Sequence, residues 1–308
     1  MHGLRPRPLA RPRRGVLARG RAARARRGPE LRLGAARRAR GHLPHPGRPR
    51  RDRHPAHRAD RHHPRGAARV SPTVAWAPAP SAPTLPTGEV HVWRVDLDAA
   101  PPRLAALAAT LSTEERGRAL RFRFDAHRDR WVAARGTLRA ILAAYLRRTP
   151  GSLNLAADAN GKPFLQNGDG PAPLRFNLAH ADDVALVAVG WHREVGVDIE
   201  REAPDRADLE VARRLFAADE AVALAAMPMP LRCRAFFELW TAREAYAKAI
   251  GRGLEAMPDT PPTGWTVRHL EVGPGYAAAV AVERGAEAVR CWRWQEPSTA
   301  HVNTPSRG

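Results

Sequence analysis

The stretch DVALVAVGWHREVGVDIERE, Asp183 to Glu202, holds two strands of different kinds. Val184 to Trp191 is an almost unbroken apolar run, as a buried strand requires. The second, EVGVDIE, begins apolar and ends on two acids one residue apart. Side chains alternate across a strand, so Asp198 and Glu200 share one face while Val197 and Ile199 point the other way, into a core. Two carboxylates side by side repel unless a cation or protons separate them. The pair is either a strand end running into water, its charges solvated, or two hard oxygen ligands of the kind Mg²⁺ prefers.

The neighbouring segments define the fold class. Upstream, EVHVWRVDL alternates from Glu89 in the strand manner. Ser112 with Glu115 has the spacing of a capping box at a helix start. A long helix is predicted from about Asp125 to Arg148, with Trp131, Leu138, Leu142, Tyr145 and Leu146 on one broad side. ADANGKPFL reads as a turn into a short strand, and LRFNLAH as the partner strand of DVALVAVGW. Downstream, DLEVARRLFAADEAVALAAM is helical, and LRCRAFFELWTAREAYAKAIG is a long helix stopped at Gly251 or Gly253. WTVRHLEV, GYAAAVAVE and AVRCWRW predict an antiparallel meander. The fold class is α+β, with an N-terminal lobe over 89–190 and a C-terminal lobe over 191–296.

The flanks differ in composition. The chain has 308 residues and a formal charge of +20, but residues 1–70 hold 22 of the 51 Arg and Lys and only three of the 31 acids. The body is therefore close to neutral, which argues against a nucleic-acid binder. Residues 1–75 are rich in Arg, Pro, Gly and Ala and are expected to be disordered. They read as an arginine-rich arm, an organelle transit segment, or upstream sequence included by a mistaken start; the last is the reading preferred here. A linker over 76–88 and a disordered tail over 297–308 complete the plan. No apolar run is long enough for a membrane span. The two cysteines have no metal-like spacing and predict a reduced, cytoplasmic setting.

Only two lysines stand beside 49 arginines, Lys162 and Lys248. An ammonium and a planar guanidinium differ in what they can reach, which marks both positions. Phe237, Trp240, Glu244 and Lys248 form one helical stripe that begins aromatic and ends charged. This is either a surface ion pair or the edge of a cleft, where Glu244 would complete a three-carboxylate Mg²⁺ site and Lys248 would reach a phosphate. Lys162, between Gly161 and Pro163, is either an exposed turn lysine or an ammonium presented to a ligand. His180 ends a strand and is either structural or functional. With no P-loop, GxGxxG, HExxH or GxSxG, any phosphate binding must come from dispersed basic groups and a metal.

GKPFL, FNLAH, VGVDIE and WTAREAYAKAIGRGL, in this order and spacing, resemble the 4′-phosphopantetheinyl transferases, of the monomeric two-lobed type that activates surfactin synthetase. LRFRFDAHRDRWVAARGTLRAIL resembles that family's arginine-bearing first helix. The resemblance covers about residues 89–285. It implies two pseudo-symmetric α/β lobes with the active site between them. It also implies transfer of the phosphopantetheine arm of coenzyme A to a serine of an apo acyl or peptidyl carrier protein, releasing 3′,5′-ADP. By motif, Asp198, Glu200 and Glu244 resemble the ligands of Mg²⁺, with Mn²⁺ the other metal of that class. Glu244 then serves as base for the serine, Lys248 contacts the phosphate, and Glu220 is an acid near the site. Gly161, Lys162, Pro163 and His180 resemble residues at the adenine and 3′-phosphate end, and Arg118 and Arg130 match basic positions nearby. The family usually has Ser-His where this chain has Ala179-His180, and lysine at Arg243. A non-catalytic coenzyme A or carrier-binding module is the alternative. Neither nucleic acid nor membrane is expected as a partner, and a monomer is.

Overall fold

In a computed structural model the described residues are 76–80, 82–167, 170–171, 173–253, 263–283 and 288–295, all within one compact unit spanning 65–308. The expectations for 1–75 and 297–308 lie outside the described residues.

The described residues build four layers, helix on sheet on sheet on helix. The larger sheet runs in the order β1 (Ala77–Pro78), β11 (Ala288–Arg293), β2 (Glu89–Asp96), β7 (Val184–Trp191), β6 (Leu174–Ala181). The smaller runs β8 (Val195–Arg201), β10 (Tyr276–Glu283), β9 (Trp265–His269). A third set, β3 (Leu155–Ala157), β4 (Pro163–Asn167) and β5 (Gly170–Pro171), carries the GKPFL turn. The mixture of helices with mostly antiparallel strands is α+β, as expected.

Strand alternation explains the layering. Val90 and Val92, Leu186 and Ala188, Val197 and Ile199, and Val280 and Val282 form one apolar cluster shared by the two sheets. The opposite faces of β2 and β7, with Trp93, Val95, Val187 and Val189, pack on Leu138, Ile141 and Leu142 of α3 (Asp125–Leu146). The opposite face of β10, Ala279 and Ala281, packs on Ala245 and Ala249 of α6 (Met229–Ile250). Burial of apolar surface on both faces of each sheet, at roughly 25 cal/mol per Å², is the main stabilising term.

The local predictions hold at several termini. Ser112 caps α2 (Thr113–Ala119) in a full capping box with Glu115. Gly251 ends α6 at φ 67°, a left-handed position that glycine adopts without strain. The β6–β7 hairpin turns at Asp182, at φ 48°.

Two expectations are corrected. AVRCWRW does not complete a meander, because β10 already pairs with β8 and β9 on its two edges. β11 instead joins β2 in parallel, Val289 opposite Val90, where Val289 and Cys291 add to the core between the sheets. The helical stretch after Asp208 is two helices, α4 (Leu209–Leu215) and α5 (Ala218–Ala226). The chain extends at Phe216, whose ring packs against Phe236 with centroids 5.3 Å apart. Periodicity alone does not register a break that the tertiary packing of one aromatic ring repays.

Candidate active site

The two acids of β8 face α6. The helix comes close enough because residue 196 is glycine: a β-carbon there would run into the Ala245 carbonyl and the Ala249 amide. Gly196, Asp198 and Glu200 lie on one face of β8, and Glu244 and Lys248 lie on the side of α6 that meets it.

Lys248 Nζ donates to Asp198 Oδ1 at 2.5 Å. Asp198 is only 3% exposed, and its Oδ2 has no hydrogen-bond partner among the described residues. Burial pushes the Asp198 pKa up despite Lys248. Glu200 is raised by burial and then by Asp198, against the pull of Arg206, whose Nη2 lies 3.4 Å from Oε2. Glu244 is pushed up to about 6, first by burial and then by the charges of Asp198 and Glu200, with Lys248 opposing. Burial would lower the Lys248 pKa, but Asp198, Glu244 and Glu200 outweigh it, and the ammonium is held. Three carboxylates thus crowd one lysine and are each short of positive charge. Among the described residues no three His, Cys, Asp or Glu are drawn tightly enough together to form a metal-ligand group.

A groove of about 630 Å³ opens beside this cluster, lined by Gly161, Lys162, Pro163, Asn177, Lys248 and Arg252. It continues into a second space of about 480 Å³ that shares Gly161, Pro163 and Leu178 and reaches His180, Arg118 and Arg121. Together they have the volume and mixed lining of a small-molecule site with basic groups at one end. His180 is exposed at its ring, yet the protein around it and then the Lys248 charge lower its pKa, which ties it electrically to the acid cluster. The Arg118 guanidinium lies over the Trp131 ring, 5.7 Å from its centroid.

Other sequence-predicted positions fall elsewhere. Arg130 pairs with Asp98 at 3.5 Å and lines a separate cavity with Leu97 and Leu104. Glu220 accepts the Ala217 N–H at 3.0 Å and the Arg243 Nη2 at 2.6 Å, so it caps α5 and links it to α6. Ala179 is 5% exposed, and its methyl packs in the core between the sheets.

Sequence reasoning missed several supports. Asn177 Oδ1 accepts the Val197 N–H at 2.9 Å, a buried bond stitching β6 to β8 one residue from Asp198. Glu115 Oε2 accepts from Arg139 Nε at 2.7 Å and Oε1 from Arg135 Nε at 2.5 Å, beneath the Arg118 end of the groove. Asn177 and Gly196 stood inside the quoted FNLAH and VGVDIE, as a polar residue and a glycine in otherwise apolar strands, which was the available signal.

Residues 194–301 match the family profile described as the 4′-phosphopantetheinyl transferase superfamily, and residues 98–192 match the profile of the 4′-phosphopantetheinyl transferase N-terminal region. The chain is 38% identical over 233 residues to the 4′-phosphopantetheinyl transferase HetI of Nostoc, covering 71% of this chain and 98% of that protein. The chain belongs to the 4′-phosphopantetheinyl transferase superfamily. A putative 4′-phosphopantetheinyl transferase of Synechocystis is 32% identical, over 55% of this chain and 70% of its own. The 4′-phosphopantetheinyl transferase psf-1 of Bacillus pumilus is 32% identical, over 49% of this chain and 63% of its own. The boundary between the two profile matches in this phosphopantetheinyl transferase falls between Trp191 and Val195, where β7 of the larger sheet gives way to β8 of the smaller. Coenzyme A is the co-substrate of the family. None of the described helices is long and apolar enough to cross a membrane.

Proposed function

We propose that this chain, acting as a monomer, transfers 4′-phosphopantetheine from coenzyme A to a serine of an apo acyl or peptidyl carrier protein, with Mg²⁺, and releases 3′,5′-ADP. The observation that carries the reading is the gathering of Asp198, Glu200 and Glu244 around the charge of Lys248, which itself lines the groove. Three buried or half-buried acids with raised pKa values are costly in a fold and are expected where charge is used.

The chemistry of the donor set suits a hard divalent cation, which would have to draw the three acids closer together than they stand. All three ligands are carboxylates, and Asp198 Oδ2 is a buried oxygen without a partner. Asp198, Glu200 and Glu244 would hold the ion. Bound there, Mg²⁺ would supply positive charge to the pyrophosphate of coenzyme A.

The remaining steps belong to side chains. Glu244, with a pKa near 6 from burial and its acidic neighbours, accepts the proton of the carrier serine. The serine oxygen forms a bond to the phosphorus bearing the pantetheine arm, and the bond to the leaving phosphate breaks. Lys248 holds a proton beside that phosphate and neutralises it as 3′,5′-ADP departs. His180 and Arg118, at the far end of the groove, bind the nucleotide with positive or polar groups. Arg130 and Glu220 take supporting positions, the first away from the groove and the second joining α5 to α6. Residues from both halves of the sequence line this groove, which supports a site between two lobes over 89–190 and 191–296.

The test is direct. The protein is mixed with coenzyme A, Mg²⁺ and an apo carrier domain, and the carrier is weighed by mass spectrometry. Gain of the phosphopantetheine mass supports the reading. A carrier left unmodified across acyl and peptidyl carriers overturns it and favours a binding module.

A further inference from the structure

The resemblance assigns Lys162 to the nucleotide end of coenzyme A, but its ammonium is already engaged within the fold. It donates to Glu194 Oε2 at 2.6 Å and to the carbonyl oxygen of Ala249, in the last turn of α6. That carbonyl is one of those a helix end leaves without an intrahelical partner, and a cation there also meets the negative end of the helix dipole. The Lys162 side chain is 14% exposed.

Glu194 is fixed in turn. Arg175 Nε lies 3.3 Å from its Oε1, and its backbone N–H donates to Glu283 Oε2 at 2.9 Å. The turn that bears Lys162 is fixed by Asp158, whose Oδ1 accepts the N–H of Asn160 at 2.8 Å and of Lys162 at 2.9 Å. A β-carbon at Gly251 would lie 3.5 Å from Asp158 Oδ2 and 3.6 Å from Lys162 Cδ, so the turn rests on the end of α6. Lys162 thereby joins the β3–β4 turn, the start of β8 and the end of α6. Those three segments carry the Gly161–Pro163 wall of the groove, the acids of β8, and Lys248.

We propose that Lys162 and Glu194 form a clamp that positions the Gly161–Pro163 wall against α6, and that Lys162 governs coenzyme A affinity through that wall rather than by contact with a phosphate. Lys162 and Glu194 are then positioning residues. The proposal rests on the coenzyme A reading of the groove. Turning Lys162 toward a ligand phosphate would take from Glu194 the nearer of its two cations and from the Ala249 carbonyl its ammonium donor, which a groove already lined by His180, Arg118 and Arg121 does not require.

Coenzyme A and 3′-dephospho-coenzyme A are titrated calorimetrically into the wild type, Glu194→Gln, Lys162→Met and the double variant, with folding checked by circular dichroism. Each single variant is expected to weaken both ligands by the same factor, about tenfold, and the double variant by no more than the larger single effect, as coupled residues do. In transfer to an apo peptidyl carrier domain, KM for coenzyme A rises with kcat within about twofold, the pattern of lost binding uniform between ground and transition states. Loss of the preference between the two ligands in Lys162→Met overturns the proposal, because the ammonium then contacts the 3′-phosphate. Tighter binding in Glu194→Gln also overturns it, making Glu194 a competitor of the ligand. Unchanged affinity in both singles overturns it as well. Should Lys162→Met not fold, Glu194→Gln with Glu194→Asp as the partial rescue decides by the same affinity ratio. A wild type that binds neither ligand would sink the coenzyme A reading instead.

Discussion

Lys248 Nζ lies 2.5 Å from Asp198 Oδ1, joining α6 to β8 across 50 residues of sequence. The pair forms where Gly196 lets the helix touch the strand. One small residue thus controls whether the acids of β8 and the charged stripe of α6 share a site.

Gly196→Ala should separate them. In an ordinary strand the change would stabilise by up to about 1 kcal/mol through the unfolded chain. Here the added methyl meets backbone atoms of α6 that cannot yield locally, and overpacking of this kind costs about 3 kcal/mol. Urea unfolding should show net destabilisation together with loss of transfer. A variant as stable as the wild type would show that α6 shifts freely.

Glu244→Gln should abolish transfer while raising stability in metal-free buffer. The Glu244 pKa is raised from 4.5 to about 6, so above pH 6 its charge disfavours the folded state by at most about 2 kcal/mol, and below pH 4.5 the penalty vanishes. The variant should therefore gain stability at pH 8 and none at pH 4. Denaturant titrations at both pH values with EDTA present check the sign.

Mg²⁺ should raise the melting temperature of the wild type by a few degrees, since a ligand that binds only the folded state stabilises it by mass action. Asp198→Asn should remove that response, having lost the buried oxygen that lacks a partner. EDTA should stop transfer. An equal thermal response in wild type and variant would place the ion elsewhere.

Glu115→Gln should destabilise by about 3 kcal/mol, because it leaves Arg139, 1% exposed, without its anion. Burial alone would raise the Glu115 pKa, but the Ser112 N–H, Arg139 and Arg135 outweigh it and hold the pKa low. Its stabilising contribution is present at neutral pH and is lost as pH falls below the ordinary 4.5 through the lowered value. The variant should show less acid-dependent loss than the wild type in thermal scans from pH 6 to pH 3.

Removal of residues 1–75 should leave transfer unchanged. Every residue assigned to the groove lies at Ser112 or beyond, and the profile matches begin at residue 98. A mass-spectrometric transfer assay on the shortened chain checks this; a large loss of rate would give the arginine-rich segment a role in the reaction.

Much of this was legible in the chain itself. Local signals have local causes: Ser112 and Glu115 cap a helix by their own spacing, Gly251 stops one by its left-handed φ, and the alternation of β2 and β8 sorts the residues that face the other sheet from those that face a helix. The motif set around Asp198, Glu244 and Lys248 carried family membership for the same reason, as residue types at fixed spacings.

Contacts between distant segments were decided by the tertiary structure alone. The sequence determined that β11 is a strand, but not that it pairs with β2, since that depends on which sheet edges remain open. It marked Lys162 by its rarity, while the engagement of its ammonium by Glu194 and Ala249 depends on three segments meeting. The resemblance offered Arg130 ahead of Arg118, and only packing put Arg118 on the groove and Arg130 against Asp98. Spacing along a chain encodes which side chains share a face. Which faces meet is set by the burial of apolar surface over the whole molecule, and no short window of sequence contains that sum.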